Sequence, residues 1–353
     1  MKNKIVYLDV IRKTMRRFIV IIAFILPLCS CNFRAEHKIL NGFALGTTYH
    51  IVYEEPIRKN GVSEPCPDIP GIIAQAFKDI DFSLSVYNKE SIISKVNRNE
   101  PVDLDTLFVN VFNRGKEIYA LSGGAFDMAA APYFDLWGFG FKNRELVTQA
   151  KLDSIAVFAG MDKIWLTDGK IEKADPRISL NANAIAKGYC SDVIASRLRA
   201  AGVENFLVEV GGEIYSAGLN TSAGRAWSVG IDRPEYGNYL PGKEMQAILI
   251  LKSDRGLATS GNYRSFYEED GQKYGHTIDP ATGKPVQHSL LSATVIASDC
   301  MTADALATVF MVIGLEKTIM FLDAHPRIDA YLIYSDDSGA FQSFATQNIT
   351  FYK

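Results

Sequence analysis

The stretch "LLSATVIASDCMTADALATVFMVIG", residues Leu290–Gly314, contains both kinds of element from which the fold is built. Its first eight residues are apolar or small, which is typical of a buried strand, and an apolar segment of helical length follows. Asp304 lies in the middle of that predicted helix, and Thr308 follows four residues later. On a helix these two side chains share one face, one turn apart.

Two interpretations account for Asp304 and Thr308. Two oxygens on one helix face suit a hard cation such as Mg²⁺. Alternatively, the acid belongs to an N-terminal cap region and the threonine bonds back to its own turn. The segment by itself is compatible with both.

Outward from this stretch, short apolar strands alternate with amphipathic helices along 353 residues, of which 48% are hydrophobic. Helical spacing is clear in "IIAQAFKDIDFSLS", "LFVNVFNRGKEIYALSGG" and "AIAKGYCSDVIASRLRAAG", and "FALGTTYHIVYEE" alternates as one opening strand. Short turns separate the strands. We therefore predict an α+β fold, a single compact body of mostly antiparallel strands with packed helices over residues 41–353.

The N-terminus has the pattern of an export signal. Six Lys and Arg residues precede the apolar run Phe18–Leu28, which is short for a membrane span. The following "LCSC" resembles a bacterial lipobox, which implies cleavage after residue 30, acylation of Cys31 and a tether over residues 31–40. The protein would then be lipid-anchored in the bacterial cell envelope, facing the periplasm. The alternative is an ordinary secretory signal with incidental cysteines.

Charge and cysteine content exclude several classes of protein. Residues 1–30 carry six positive charges and one negative, so their removal changes the formal net charge from −3 to −8. Binding to a nucleic-acid backbone needs clustered Lys and Arg, so we expect no nucleic-acid partner. Beyond Cys31 only Cys66, Cys190 and Cys300 remain, with no metal-ligand spacing.

Several further segments are rich in Gly, Asn, Asp and Thr. Asn181, Ala184 and Lys187 recur at three-residue intervals, and Gly211-Gly212 follows a predicted strand directly. Taken singly, each has an ordinary interpretation: a solvated lysine, a tight turn, a loop. None of them matches a P-loop or a GxGxxG fingerprint.

Taken together and in order, these segments resemble the ApbE-type flavin transferases (FAD:protein FMN transferases). The matching segments are "LGTTYHI", "SLSVYNKESIISKVN", "GGAFDMAAAPYFDLWGFG", "NANAIAKGY", "VEVGGEIYSAG", "ATSGNYRSFY", "HTIDPATGKPV" and "TADALATVF". They run from about Phe43 to about Ile313, so the resemblance covers nearly the whole predicted mature chain.

The resemblance implies an FAD site assembled from several segments. Tyr87 would stack on the flavin, Lys187 would meet the phosphates, and Ile278 would close one wall. The FAD-binding residues implied in this way are Leu45, Tyr87, Ala125, Phe126, Asp127, Asn181, Lys187 and Ile278. The resemblance also implies Mg²⁺, held by the backbone carbonyl of Ala184 and the side chains of Asp304 and Thr308.

The activity implied is transfer of FMN from FAD to a threonine hydroxyl, with release of AMP. The acceptor would be a redox protein carrying a Ser/Thr-Gly-Ala-Thr motif. Mg²⁺ and a fixed lysine suit a phosphoryl-type transfer, which is catalysed mostly by positioning and charge neutralisation. His276 and Asp279 are the candidates for the base that takes the threonine proton.

This chain departs from the family pattern at two places. Asn181 stands where many relatives have Asp, and Met128-Ala129 follows the "FD" pair where relatives often have Pro and a hydroxyl residue. Two alternatives stay open. One is an Mg²⁺-dependent FAD pyrophosphatase giving FMN and AMP, an activity of some family members. The other is a non-catalytic FAD-binding lipoprotein, which the two departures would support.

Overall fold

An eight-stranded sheet with helices on one face and a smaller sheet on the other forms the body of the protein. The computed structural model describes residues 37–55, 67–140, 146–234, 242–261, 266–269, 272–275 and 277–352. Residues from Glu36 onward belong to one compact unit. The predicted signal segment and Cys31 lie outside the described residues. Within the described part of the chain, no helix combines the length and apolar character needed to cross a bilayer.

The strands are β1 His37–Ala44, β2 Thr47–Glu54, β3 Ile164–Thr167, β4 Lys170–Lys173, β5 Phe206–Val210, β6 Glu213–Ala217, β7 Trp227–Asp232, β8 Met245–Leu251, β9 Arg255–Gly261, β10 Phe266–Glu269, β11 Gln272–Gly275, β12 Ile278–Asp279, β13 Lys284–Pro285, β14 Leu290–Ala297, β15 Asp329–Ser335, β16 Phe341–Ala345 and β17 Thr350–Phe351. The helices are α1 Ile69–Leu84, α2 Ile92–Asn97, α3 Thr106–Leu121, α4 Ala131–Trp137, α5 Gln149–Phe158, α6 Ala186–Ala200, α7 Cys300–Ile313 and α8 Leu315–Ala324. Short 3₁₀ turns occupy Met128–Ala130 and Met161–Lys163.

The large sheet has the order β1-β2-β5-β6-β9-β14-β15-β16, and a three-stranded sheet has the order β17-β8-β7. Every strand pairing among the described residues is antiparallel. The predicted α+β class is therefore confirmed, and so is the antiparallel character of the strands.

Strand β5 shows why the central strands are apolar on both faces. Phe206, Val208 and Val210 belong to the core between the sheet and the helices. Leu207, on the opposite face, belongs to the core shared with the small sheet, where Trp227 packs. Because side chains alternate along a strand, a sheet covered on both faces needs nearly continuous apolar strands. Strand β14 follows the same rule, since seven of its eight residues are buried.

The opening strand predicted from "FALGTTYHIVYEE" is a hairpin. β1 and β2 pair from His37 with Glu54 to Ala44 with Thr47. The turn between them, Leu45-Gly46, has φ values of +53° and +75°, as a type I′ turn requires. The alternation continues through this two-residue turn, so the pattern did not reveal it. β1 also begins inside the segment interpreted as a tether.

Candidate active site

Helices α6 and α7 cap each other, and this arrangement fixes the position of Asp304. Asp299 is the N-cap of α7, and its side chain accepts the backbone N–H three residues on at 2.7 Å. Asp192, on α6, accepts the backbone N–H groups of Cys300 and Met301, each at 2.8 Å. The first-turn donors of α7 are thus satisfied without Asp304. The interpretation of Asp304 as part of its own helix's cap region is wrong.

Asp304 instead reaches the N-terminus of α6. That helix has no side-chain cap of its own, and Asp304 Oδ2 accepts the Gly188 N–H at 3.0 Å. The first N–H groups of a helix lack partners within the helix and favour negative charge. One carboxylate oxygen of Asp304, Oδ2, therefore holds the start of α6.

Gly188 allows this contact because it has no side chain. A Cβ atom at position 188 would lie 2.3 Å from the carbonyl oxygen of Cys300 and 2.8 Å from Asp304 Cβ. The two helices therefore touch at backbone distance. A residue larger than glycine would push α6 and α7 apart.

Lys187 precedes Gly188 and forms an ion pair across to β6. Its Nζ lies 2.5 Å from Glu213 Oε1. Burial by itself lowers the pKa of Lys187, but the carboxylates of Glu213 and Asp304 outweigh that effect and raise it. Lys187 is therefore firmly charged, although burial by itself would favour the neutral amine.

The two carboxylates compete for this one ammonium group. Glu213 is 4% exposed and Asp304 is 3% exposed. Burial raises the pKa of Glu213 to about 8, although Lys187 opposes the rise. Burial likewise raises the pKa of Asp304, against Lys187 and the Gly188 N–H. With both carboxylates ionised the group carries one excess negative charge, which a cation would relieve.

These side chains line a cavity of about 750 Å³, within the usual size range of ligand sites. The wall combines apolar residues, among them Phe134 and Phe139, with the charged group described above. Nine residues that the sequence analysis assigned to FAD or to the metal contribute to it: Ala125, Phe126, Asp127, Asn181, Ala184, Lys187, Ile278, Asp304 and Thr308.

The sequence model that describes the ApbE family matches residues 45–332 of this chain. The chain belongs to the ApbE family. It is 34% identical over 339 residues to the FAD:protein FMN transferase of Vibrio cholerae, covering 95% of this chain and 98% of that relative. The corresponding relative from Haemophilus influenzae is 32% identical over 345 residues, covering 95% and 96% of the two chains.

The solved structure of the flavin transferase ApbE from Vibrio cholerae shares the fold. It superimposes with a TM-score of 0.77 and 32% sequence identity, covering 89% of this chain and 98% of that chain. The family and the ApbE-like fold predicted from the sequence are both confirmed.

The ApbE-family cavity contains the oxygen donors that a hard cation prefers. Asp304 has a carboxylate, Thr308 a hydroxyl and Ala184 a backbone carbonyl, and all three residues line the cavity. Within the described residues, no three His, Cys, Asp or Glu side chains gather into a metal cluster. A cation here would rest on carboxylates supplemented by neutral oxygens, which suits Mg²⁺. The residues therefore fit the ion that the resemblance implies.

Leu45 and Tyr87 are not among the lining residues, but both lie close to ones that are. Leu45 is in the β1–β2 turn, two residues before Thr47, which lines the cavity together with Thr48. Tyr87 is 72% exposed, and its hydroxyl receives a hydrogen bond at 3.4 Å from Asn183, a lining residue. The structure therefore brings Tyr87 next to a residue that lines the cavity, and most of its side chain is exposed.

Asp127 combines a place on the cavity wall with a local structural role. Its carboxylate accepts the Ala129 N–H at 2.7 Å and so begins the 3₁₀ turn that follows. Burial raises the pKa of Asp127 to about 6, partly offset by hydrogen bonds from the backbone of Ala129 and Met161. A carboxylate with this pKa can accept a hydrogen bond from a ligand at neutral pH.

Of the two candidate bases, the structure describes only one. Asp279 is not a lining residue: its carboxylate accepts the Ala281 N–H at 2.9 Å and the Thr282 hydroxyl at 3.2 Å. It therefore holds the turn that follows Ile278, which does line the cavity. His276 lies outside the described residues.

Helix α6 begins at Ala186, so the three-residue interval of Asn181, Ala184 and Lys187 is not a helical repeat. Asn181 lies in a turn, where its Oδ1 accepts the Asn183 N–H at 2.8 Å. All three residues nevertheless line the cavity.

Sequence reasoning missed Glu213 altogether. A signal was present: Glu213 opens a strand, "EIYSA", whose five residues are all buried. An acid in such a strand raises the same question as Asp304 in an apolar helix. Gly211 completes this corner, since a Cβ there would lie 2.9 Å from the Thr47 side chain and its φ is +66°.

Proposed function

We propose that this ApbE-family enzyme, an FAD:protein FMN transferase like its relatives, moves FMN onto a threonine hydroxyl of an acceptor redox protein in an Mg²⁺-dependent reaction that releases AMP. One observation carries the proposal. One cavity is lined by the firmly charged Lys187, by a buried carboxylate, Asp304, and by Thr308, one turn further along α7. An ammonium and an oxygen-rich cation site side by side suit the pyrophosphate of FAD.

The reaction balances as a phosphoryl-type transfer. The threonine oxygen forms a bond to the phosphorus on the FMN side of the pyrophosphate. The bond from that phosphorus to the bridging oxygen breaks, and AMP leaves with that oxygen. The hydroxyl proton passes to a base on the enzyme. Lys187 holds positive charge beside the pyrophosphate throughout, which lowers the cost of charge on the transferred and leaving oxygens.

Asp304, Thr308 and the carbonyl of Ala184 would hold Mg²⁺. The bound ion would neutralise charge on the phosphate oxygens. Asp304 Oδ2 keeps its bond to the Gly188 N–H in this arrangement, so α6 and the carboxylate are positioned together. With both Asp304 and Glu213 ionised, their charge exceeds that of Lys187 by one negative unit, and this supports a divalent cation beside them.

The base we propose is His276, two residues before the wall residue Ile278. Imidazole titrates near neutral pH and needs little assistance to accept the proton. Asp279 is already engaged by Ala281 and Thr282, and this supports a positioning role for it, holding the turn beside His276.

We also propose that Cys31 is acylated after export, so that the enzyme acts on membrane-associated redox proteins at the periplasmic side. The charged and apolar pattern of residues 1–31 supports this. Mass spectrometry of the protein from a bacterial host would show a lipid on residue 31. A Cys31→Ser variant should lose the lipid and leave the membrane fraction; retention of both would contradict the proposal.

The central test uses the purified chain with FAD, Mg²⁺ and a protein carrying a Ser-Gly-Ala-Thr segment. Mass spectrometry would look for FMN on the acceptor threonine, and AMP would be followed in parallel. We expect both products, and we expect EDTA or Asp304→Ala to abolish both. Free FMN and AMP with an unmodified acceptor would indicate hydrolysis instead. Bound FAD without any AMP would indicate a carrier.

A further inference from the structure

Glu213 has one carboxylate oxygen, Oε2, for which the described part of the chain provides no hydrogen-bond partner. Oε1 pairs with Lys187 Nζ at 2.5 Å. Oε2 is buried and has no hydrogen-bond partner among the described residues. Glu213 is also one of the lining residues of the cavity. Buried carboxylate oxygens almost always have partners, so an unused one in a cavity wall suggests a partner that is not part of the protein.

The position of Glu213 is held independently of its side chain. Its backbone pairs with Val210 across the β5–β6 hairpin. Its carbonyl oxygen accepts a hydrogen bond at 2.9 Å from Ser191, on α6. The strand is thus fixed to the helix that carries Lys187, and the carboxylate is not needed to build this corner of the fold.

Charge points to the kind of partner. Among the described residues that line the cavity, Lys187 is the only Lys or Arg. It interacts with both Asp304 and Glu213, and the electrostatic influence of Asp304 on Glu213 opposes ionisation of Glu213. A neutral ligand would leave the excess negative charge in place, and an anion would add to it. A cation is the class of partner that relieves it.

We propose that Glu213 is a further acidic residue of the divalent-cation site, with Oε2 the atom offered to the ion or to a water bound to it. The inference rests on the proposed function, since it assumes that Asp304 and Thr308 bind the ion. It assigns β6 to the cation site together with α6 and α7. In this arrangement the ion pair with Glu213 Oε1 also holds the Lys187 ammonium group at the cavity and keeps it from extending into solvent.

The competing explanation is that Glu213 serves only as the counter-ion of Lys187. Glu213→Gln separates the two explanations because the amide has the same shape, and its oxygen can still accept from Lys187. The amide NH₂ then occupies the position of Oε2, where it cannot bind a cation. Glu209→Gln is the matched control. Glu209 lines the same cavity on the same hairpin, but its Oε1 already accepts the Gly212 N–H at 3.0 Å.

The experiment titrates the full chain, without FAD, with Mn²⁺ and follows free Mn²⁺ by electron paramagnetic resonance. We expect Glu213→Gln to weaken Mn²⁺ binding by about 10- to 100-fold, the usual effect of losing an outer-shell metal partner. Glu209→Gln should bind nearly as well as the wild type, and Asp304→Asn should lose the site. The rise in melting temperature caused by Mn²⁺ should shrink in parallel in Glu213→Gln.

The melting temperature in EDTA shows whether Glu213→Gln is folded. Wild-type affinity in Glu213→Gln, with binding abolished in Asp304→Asn, would overturn the inference and leave the proposed function intact. Equal weakening by Glu209→Gln would also overturn it, because the effect would then be general to cavity charge. A wild-type chain that binds no Mn²⁺ would refute both the inference and the cation site of the proposed function.

Discussion

Gly188→Ala is the substitution whose consequences follow most directly from the structure. The added Cβ would lie 2.3 Å from the carbonyl oxygen of Cys300, whereas such carbon–oxygen contacts are about 3.3 Å or longer. Both atoms belong to rigid backbone, so α6 and α7 must separate by about 1 Å to restore that distance. Overpacking of this kind costs about 1–3 kcal/mol, and the better helix propensity of alanine returns up to about 1 kcal/mol.

We therefore expect Gly188→Ala to lower the free energy of unfolding by about 1–2 kcal/mol. The effect on activity should be much larger. Asp304 lies on α7, whereas Ala184 lies in the turn that leads directly into α6. Separation of the two helices therefore displaces the proposed cation ligands from one another. A misplacement of about 1 Å can reduce a rate by about 100-fold.

The assay measures two quantities for the same preparation: the free energy of unfolding in urea and the rate of FMN transfer with saturating Mg²⁺. Gly115→Ala is the control, because the one close contact of a Cβ there, among the described residues, is with Sδ in the flexible part of the Met128 side chain and not with backbone. It should change stability by no more than about 1 kcal/mol and keep most of the activity. A Gly188→Ala enzyme with near-normal transfer would refute the reasoning that the α6–α7 contact positions the site.

Three further predictions concern groups around the cavity. Asn97→Ala removes the side chain that donates to Leu180 O at 2.8 Å and accepts from Leu180 N at 2.7 Å. Because these backbone groups would be left unpaired, the free energy of unfolding in urea should fall by about 2–4 kcal/mol. Asn97→Asp, which keeps the acceptor, should recover part of this loss. The folded-state pKa of Asp127 is raised to about 6, so its contribution to stability is full below about pH 4 and is lost as the pH rises through 6. The free energy of unfolding of Asp127→Asn relative to the wild type should therefore increase between pH 4 and pH 7. A constant difference would contradict this. Asp299→Ala removes the N-cap of α7 and should lower the stability measured by thermal unfolding by about 0.5–2 kcal/mol. Most transfer activity should be kept because Asp192 still accepts hydrogen bonds from the first turn. Complete loss of activity would show that Asp299 is also needed to position the active site.

The elements with strong periodicity were predicted well. The apolar spacing of α1 and α3 and the buried run of β14 are local properties of the chain, and they appear where the sequence indicated. The hairpin was missed because its turn is only two residues long and begins with Leu45, not with the Asn or Asp that usually marks a type I′ turn. The alternation of neighbouring residues carries no trace of such a turn.

The sequence by itself determined the family, the α+β class and most of the residues that gather at the cavity, because ordered motifs and hydrophobic periods are written in neighbouring residues. The tertiary structure decided what each acid does. Asp299 and Asp192 cap α7, which releases Asp304 to reach Gly188, and Glu213 meets Lys187 only after β6 is placed against α6. Hydrogen bonds and ion pairs between distant segments depend on how the helices and strands pack together. Burial and neighbouring charges then determine the pKa values of the acids and of the lysine.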